Sequence, residues 1–244
     1  TLEPPVGIFL DGVYIPRVAA SSLDLFDVEQ IEILRGPQGT IFGRNTTAGA
    51  IQVRSRRPSG EFGVRGSVTI GEFGRLDVKA AMDIPIIEGK VDAKFAVLSQ
   101  TMDGYYTNIA DRDLSTNATT GRGLGNEDII AFRPMIRFTP NDSFDLTFIG
   151  EYHRNKSDLM PGQNYSPDKL LCILQSSFCG VPFGEVDEFE VAMTDLGAGI
   201  IDAEIWSITA DMNWDVGPGT ITWISNYRNT DEFIDIDGEM TVSD

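Results

Sequence analysis

The chain has 244 residues, 41% of them hydrophobic, with 37 Asp and Glu against 19 Lys and Arg, a formal net charge of -18. That hydrophobic share supports a folded core, and the acidic balance repels phosphate backbones and so argues against nucleic-acid binding. A run of about 20 apolar residues is absent, which excludes a transmembrane helix but not a barrel strand of about 10 alternating residues.

The chain opens at Thr1-Leu2-Glu3-Pro4-Pro5 without the basic start and apolar segment of a signal peptide. This fits a cytoplasmic protein or one whose start lies upstream. Up to about Gly60, short apolar runs alternate with glycine: Val6 to Ile15, Ile31 to Leu34, and Ala50 to Val53. These predict short strands of a small mixed domain. Ser21 to Phe26 between them predicts a short serine-capped helix. Arg54 to Gly60 reads as an exit linker.

After Gly60 the pattern alternates with a period of two, which puts each apolar set on a single strand face. Seven such runs follow. Phe62, Val64, Val68 and Ile70 form the first, Leu76, Val78, Ala80, Met82 and Ile84 the second, and Val91, Ala93, Phe95 and Val97 the third. The fourth holds Ile130, Phe132, Ile136 and Phe138, and the fifth Phe144, Leu146, Phe148 and Tyr152. The sixth holds Trp206, Ile208, Ala210, Met212 and Trp214, and the seventh Ile221, Trp223 and Tyr227. Their partners on the opposite faces are polar or charged.

A soluble sandwich also alternates. Strands of about 10 residues and the lengths of their connections favour a membrane barrel. Pro85 to Gly89, Thr139 to Asp142 and Asp215 to Gly219 read as tight turns. Residues 101–128 and 154–202 are long connections, and only the first connection, Gly71 to Arg75, is short. Short turns on one side and long loops on the other are the outer-membrane pattern. Tyr105, Tyr106, Tyr152, Trp206, Trp214 and Tyr227 suit interfacial girdles, or ordinary aromatic enrichment in sheets. Seven strands do not close a barrel, and an open edge in lipid is prohibitive, so either further strands exist or the sheet is soluble.

The densest signal is the run from Asp27 to Ile51, with Ile33-Leu34-Arg35-Gly36-Pro37-Gln38-Gly39 at its centre and Phe42-Gly43-Arg44-Asn45-Thr46-Thr47-Ala48-Gly49-Ala50-Ile51 after it. Glycines here permit backbone angles closed to other residues, and Pro37 fixes the turn after a strand. This run closely resembles the plug signature of TonB-dependent outer-membrane receptors. Ile8 to Tyr14 resembles the family's upstream "hydrophobic-Asp-Gly-Val" strand, and Val53 to Pro58 its exit into the barrel. Ala48-Gly49-Ala50 stands where many members have Gly-Gly.

The resemblance implies a mostly β fold: the C-terminal half of a small mixed α/β plug over residues 1–59, then about seven antiparallel strands of an incomplete transmembrane barrel over residues 60–244. It also implies a Gram-negative outer-membrane receptor for active uptake of a scarce nutrient such as an iron–siderophore complex. Its partners would be outer-membrane lipid, a small-molecule chelate or glycan, and TonB, bound through an N-terminal box that this sequence lacks. Arg35, Gly36, Pro37, Gly39, Gly43 and Gly49 are the signature positions. Phe42, Arg44 and Asn45 would sit at a substrate-facing apex. Arg35, Arg44, Arg54, Arg56 and Arg57 would pair with lumenal carboxylates such as Asp77, Asp83, Asp92 or Asp145, or remain solvated.

Other chemistry is weakly represented. Cys172 and Cys179 are separated by six residues without a nearby His or third Cys, which suits a local disulfide or two free thiols rather than zinc. No metal or cofactor is expected. His153 is the only histidine and should face the lumen or rim. No Ser-His-Asp or Cys-His grouping points to an enzyme. Gly121 to Asn126 has no following helix to make it a nucleotide loop. The acidic run Glu185 to Glu190 lacks calcium-loop spacing. A passive channel or adhesin, and a soluble β-rich carbohydrate-binding module, are the competing classes.

Overall fold

The computed structural model describes residues 5–15, 26–43, 45–108, 112–113, 118–119, 123–158, 190–191 and 201–234. The helix expected over Ser21 to Phe26, apart from Phe26 itself, lies outside them, as do the two cysteines, Arg44 and nearly all of the acidic run. Two sheets dominate. The first contains β1 (Val6–Leu10), β2 (Val13–Ile15), β3 (Val28–Arg35) and β4 (Gly49–Ser55), in the order β2-β1-β4-β3. A single helical turn, α1 (Gly39–Phe42), interrupts the bend between β3 and β4. The β1–β4 pairing is parallel and its neighbours are antiparallel, so the small domain is mixed. Asp11 and Gly12 join β1 to β2 with φ of 50° and 80°. Positive φ at both central residues is the geometry that an Asp-Gly pair supplies to a two-residue hairpin.

The second sheet is a seven-stranded antiparallel meander. Its strands are β5 (Gly63–Ile70), β6 (Leu76–Ile87), β7 (Val91–Met102), β12 (Glu127–Asn141), β13 (Phe144–Asn155), β15 (Ile201–Asp215) and β16 (Thr220–Ile234). Short pairs occupy the long connections: β8 (Tyr106–Asn108), β9 (Arg112–Asp113), β10 (Ala118–Thr119), β11 (Gly123–Leu124) and β14 (Glu190–Val191). All seven alternating runs of the sequence are strands. Two turns are tighter than their sequence suggested. Pro85 and Pro140 stay within β6 and β12, each at a register shift where the ladder needs no N–H, so the turns contract to 88–90 and 142–143. Pro134 lies mid-strand in β12. The strand tolerates it because Gly150 on β13 has no side chain: a Cβ there would come within 2.9 Å of Pro134 Cγ.

Burial settles which face is inside. Asp77, Asp83, Asp92, Lys94, Arg133, Thr147, Glu151, His153, Ser207 and Thr209 are buried. Phe132, Ile136, Phe148, Trp206, Ile208 and Trp214, at intervening positions, are exposed. A soluble sheet would cover its apolar face; this one turns it outward and covers the charged face with the small domain, which is the polarity of a membrane wall. Two aromatic rows border the apolar face. Trp206 meets Tyr227 at 5.2 Å beside Tyr152, while Phe144 meets Phe138 and Trp214 at 6.4 and 6.5 Å near the short turns. Eight residues at about 3.4 Å each separate Trp206 from Trp214, about 27 Å along the strand, which at a tilt of about 40° spans about 21 Å of height, close to a bilayer's apolar band. Tyr105 and Tyr106 stand apart from these rows. They stack at 4.5 Å on the long-loop side, with Phe73 at 5.5 Å from Tyr105.

Candidate functional site

Two regions of the small domain carry the chemistry: the seam where it meets the wall, and the bend between β3 and β4. The seam begins at Phe26, 4% exposed, whose ring packs among Ala81, Ala96, Leu98 and Ala131 of the wall. Arg133 lies over that ring, 4.7 Å from its centroid, and donates to the Phe26 carbonyl at 3.1 Å. The next residue, Asp27, has φ 51° and points its carboxylate at the wall. Lys94 Nζ is 2.5 Å from it, Arg65 3.5 Å and Arg56 3.8 Å. Lys94 is fully buried and also donates to the Arg56 carbonyl at 2.8 Å. Burying an ammonium is costly unless it is paired, and both of its close partners come from the plug side of the seam.

A second contact lies on β15, level in register with the Phe26 pocket. Leu10, Ile15 and Val53 form a small core with Ile205 of β15. Below it Asp11 accepts from the Ser55 amide and hydroxyl at 2.9 and 2.8 Å, and Arg57 pairs with Asp211 at 2.6 Å. A polar cleft of about 470 Å³ opens there, lined by Asp11, Arg54, Arg57, Arg137, Asp145 and Asp211 among others. Arg137 and Asp145 pair across the wall itself.

The linker cations therefore divide. Arg56 and Arg57 do find carboxylates, but on Asp27, Asp11 and Asp211, none of which were the expected partners. Asp77, Asp83 and Asp145 are taken by the wall's own Arg75, Arg65 and Arg137. Asp92 is buried near Gly60 without an ion pair among the described residues. Arg35 and Arg54 are exposed and likewise unpaired. Sequence reading missed Asp27 and Phe26 as seam residues, since neither stands out before the wall is in place. It also missed the Arg133–Glu151–Arg228 cluster, whose members alternate inward on three different strands at 3.4 and 2.7 Å.

The bend lies at the end of the small sheet away from the Ile205 contact, where Gly49 pairs with Val6 and Arg35. Gly36 and Gly43 have φ of 84° and 78°, angles that favour glycine. Gly49 is required by contact instead: a Cβ would sit 2.6 Å from the Leu34 carbonyl oxygen. Gly39 opens α1 with free space around it, and nothing in the structure demands glycine there. Phe42 packs on Phe9 at 4.9 Å, and Phe9 on Tyr14 at 5.6 Å. Asn45, at φ 64°, donates to the Tyr14 hydroxyl at 2.9 Å. Phe42 and Asn45 are thus joined through one small aromatic group; Arg44 between them lies outside the described residues.

Residues 3–50 match the family model of the TonB-dependent receptor plug domain. The pesticin receptor of Yersinia pestis is 28% identical over 181 residues, covering 72% of this chain and 25% of that protein. The catecholate siderophore receptor Fiu of Escherichia coli is 37% identical over 75 residues, covering 29% of this chain and 10% of that one. Among solved structures, the ferric yersiniabactin uptake receptor FyuA from Yersinia pestis superposes with a TM-score of 0.72 at 20% identity, over 95% of this chain and 33% of FyuA. The alcaligin outer-membrane receptor FauA from Bordetella pertussis gives 0.65 at 14%, over 94% and 31%. The chain spans about a quarter of the pesticin receptor's length. With the plug signature folded as a mixed sheet against the charged face of an inside-out meander, residues 3–50 form a TonB-dependent receptor plug domain, and the chain shares the fold of these outer-membrane receptors.

Proposed function

We propose that the chain is part of a receptor that takes up a scarce nutrient, such as an iron–siderophore complex, actively across the outer membrane. The observation that carries this reading is the plug sheet seated by one buried and one part-buried ion pair on the polar face of an apolar-outward wall. A passive channel needs no such obstruction, and a soluble carbohydrate module needs no apolar exterior. Similarity to receptors named for siderophore uptake favours an iron chelate over a glycan. We divide the chain into a plug segment, 1–59, and a wall segment, 60–244. In this reading TonB acts through an N-terminal box on the parent protein. The bend around Phe42, Arg44 and Asn45 forms the substrate-facing apex.

The test uses the full-length receptor in cells, with ferric catecholate and ferric hydroxamate chelates as labelled probes. Uptake of at least one probe should require TonB, and Phe42→Ala and Arg44→Ala should each weaken its binding about tenfold, the cost of a lost aromatic or charged contact. Uptake that persists without TonB would overturn active transport. Unchanged binding by both variants would overturn the apex.

A further inference from the structure

We propose that Asp27 is the positioning residue that closes the plug against the wall, with Lys94 as the wall cation whose burial depends on it; this rests on the plug reading above. Two buried ionic groups on the inner face of the wall, Glu151 and Lys94, depend on the plug in opposite ways. Glu151 is held by the wall alone: Arg228 at 2.7 Å, the Ser207 hydroxyl at 3.1 Å and Arg133 at 3.4 Å. It needs nothing from the plug. Lys94 is the reverse. Its close partners are the Asp27 carboxylate at 2.5 Å and the Arg56 carbonyl at 2.8 Å. Asp83, opposite Lys94 in register, is committed to Arg65 at 3.0 Å and the Ser59 amide at 3.1 Å.

Asp27 is also fixed from behind. Its carbonyl accepts from the Arg56 amide at 2.9 Å, which ties the start of β3 to the exit of β4. Lifting the plug here therefore uncovers an ammonium and separates Asp27 from its two wall cations, Lys94 and Arg65, in one step, while Glu151 keeps its wall partners. Breaking a buried ion pair at one partner is expensive, so this contact holds the seam closed alongside the Phe26 packing.

Ala96, 1% exposed beneath Phe26, is a reporter of that opening. In outer membranes carrying the full-length receptor with Ala96→Cys, labelling by a membrane-impermeant maleimide is measured without an energy source. Asp27→Asn should raise the labelling rate about tenfold or more, and Lys94→Gln should act likewise, while Ser207→Ala stays within about twofold. The exchange Asp27→Lys with Lys94→Asp should return the rate toward the starting value. Only variants whose barrel keeps its folded, detergent-resistant mobility are compared, and Lys94→Gln carries the test should Asp27→Asn fail to assemble. Labelling unchanged by loss of either charge, or raised equally by Ser207→Ala, would overturn the proposal. Because the readout needs no substrate, absence of uptake counts against the transport reading alone.

Discussion

Replacing Phe26 by alanine isolates the apolar half of the plug seam. The ring is 4% exposed and is bounded by Ala81, Ala96, Ala131 and Leu98. Core Phe→Ala changes cost about 3–5 kcal/mol, with the larger values where neighbours cannot collapse into the space. Three of these neighbours are alanines on a hydrogen-bonded sheet, so little collapse is available. Loss of the Arg133 contact over the ring adds about 0.5–1 kcal/mol. The substitution keeps the Phe26 carbonyl, so the Arg133 hydrogen bond survives. The expected effect is about 4 kcal/mol on plug docking, or about a thousandfold in the opening equilibrium. Hydrogen exchange on the full-length receptor in detergent reads this directly: amides of β3 and β4 should lose protection by that factor, while β13 and β15 keep theirs. Phe26→Leu should recover more than half the effect. A change below about tenfold in β3 and β4 would refute the seam as an energetic contact, and an equal loss in β13 would show that the wall itself was damaged.

Three further outcomes follow from single contacts. Gly49→Ala should separate β3 from β4, since its Cβ would meet backbone at 2.6 Å; about 1–3 kcal/mol of plug stability should go, seen as protease cleavage of the plug from a barrel that stays folded. Phe148→Arg, on the outward face between the aromatic rows, should cost about 2–4 kcal/mol in folding into lipid vesicles, whereas Asn213→Arg, lining the polar cleft, should cost under about 1 kcal/mol. Arg57→Ala should leave Asp211 and Asp11 without their shared cation and destabilise plug docking by about 1–2 kcal/mol, a modest value because Arg57 is 26% exposed; the difference should shrink in high salt when thermal release of the plug is followed.

The wall was legible in the sequence because a barrel strand repeats one simple constraint. Every second residue from Leu76 to Ile84, or from Trp206 to Trp214, meets lipid, and a period of two survives in the sequence without knowledge of the neighbours. Turn positions were less legible. Proline normally ends a strand, yet Pro85, Pro134 and Pro140 all lie inside one, because register shifts and the missing side chain of Gly150 accommodate them. Those accommodations reside on the partner strand or in the ladder geometry, not in the residues flanking the proline.

The seam was illegible for a related reason, and it also explains why plug and wall remain separable. The bend from Arg35 to Gly49 is one short stretch: Gly36 and Gly43 answer to their own backbone angles and Gly49 to the Leu34 carbonyl where the bend closes, so a motif marks them. Asp27 and Lys94 are 67 positions apart, and neither is unusual alone. An acidic residue before a strand and a lysine on a polar strand face both read as solvated. Only their meeting makes each necessary to the other, since a buried charge without its partner costs more than the pair gains. The wall keeps its own ions paired at Glu151, Asp145 and Asp77, and commits Lys94, Arg133 and Asp211 to the plug, with Arg65 and Asp83 shared between the two. A structure organised that way lets the wall stand while the plug moves, because most of its buried charges never change partners.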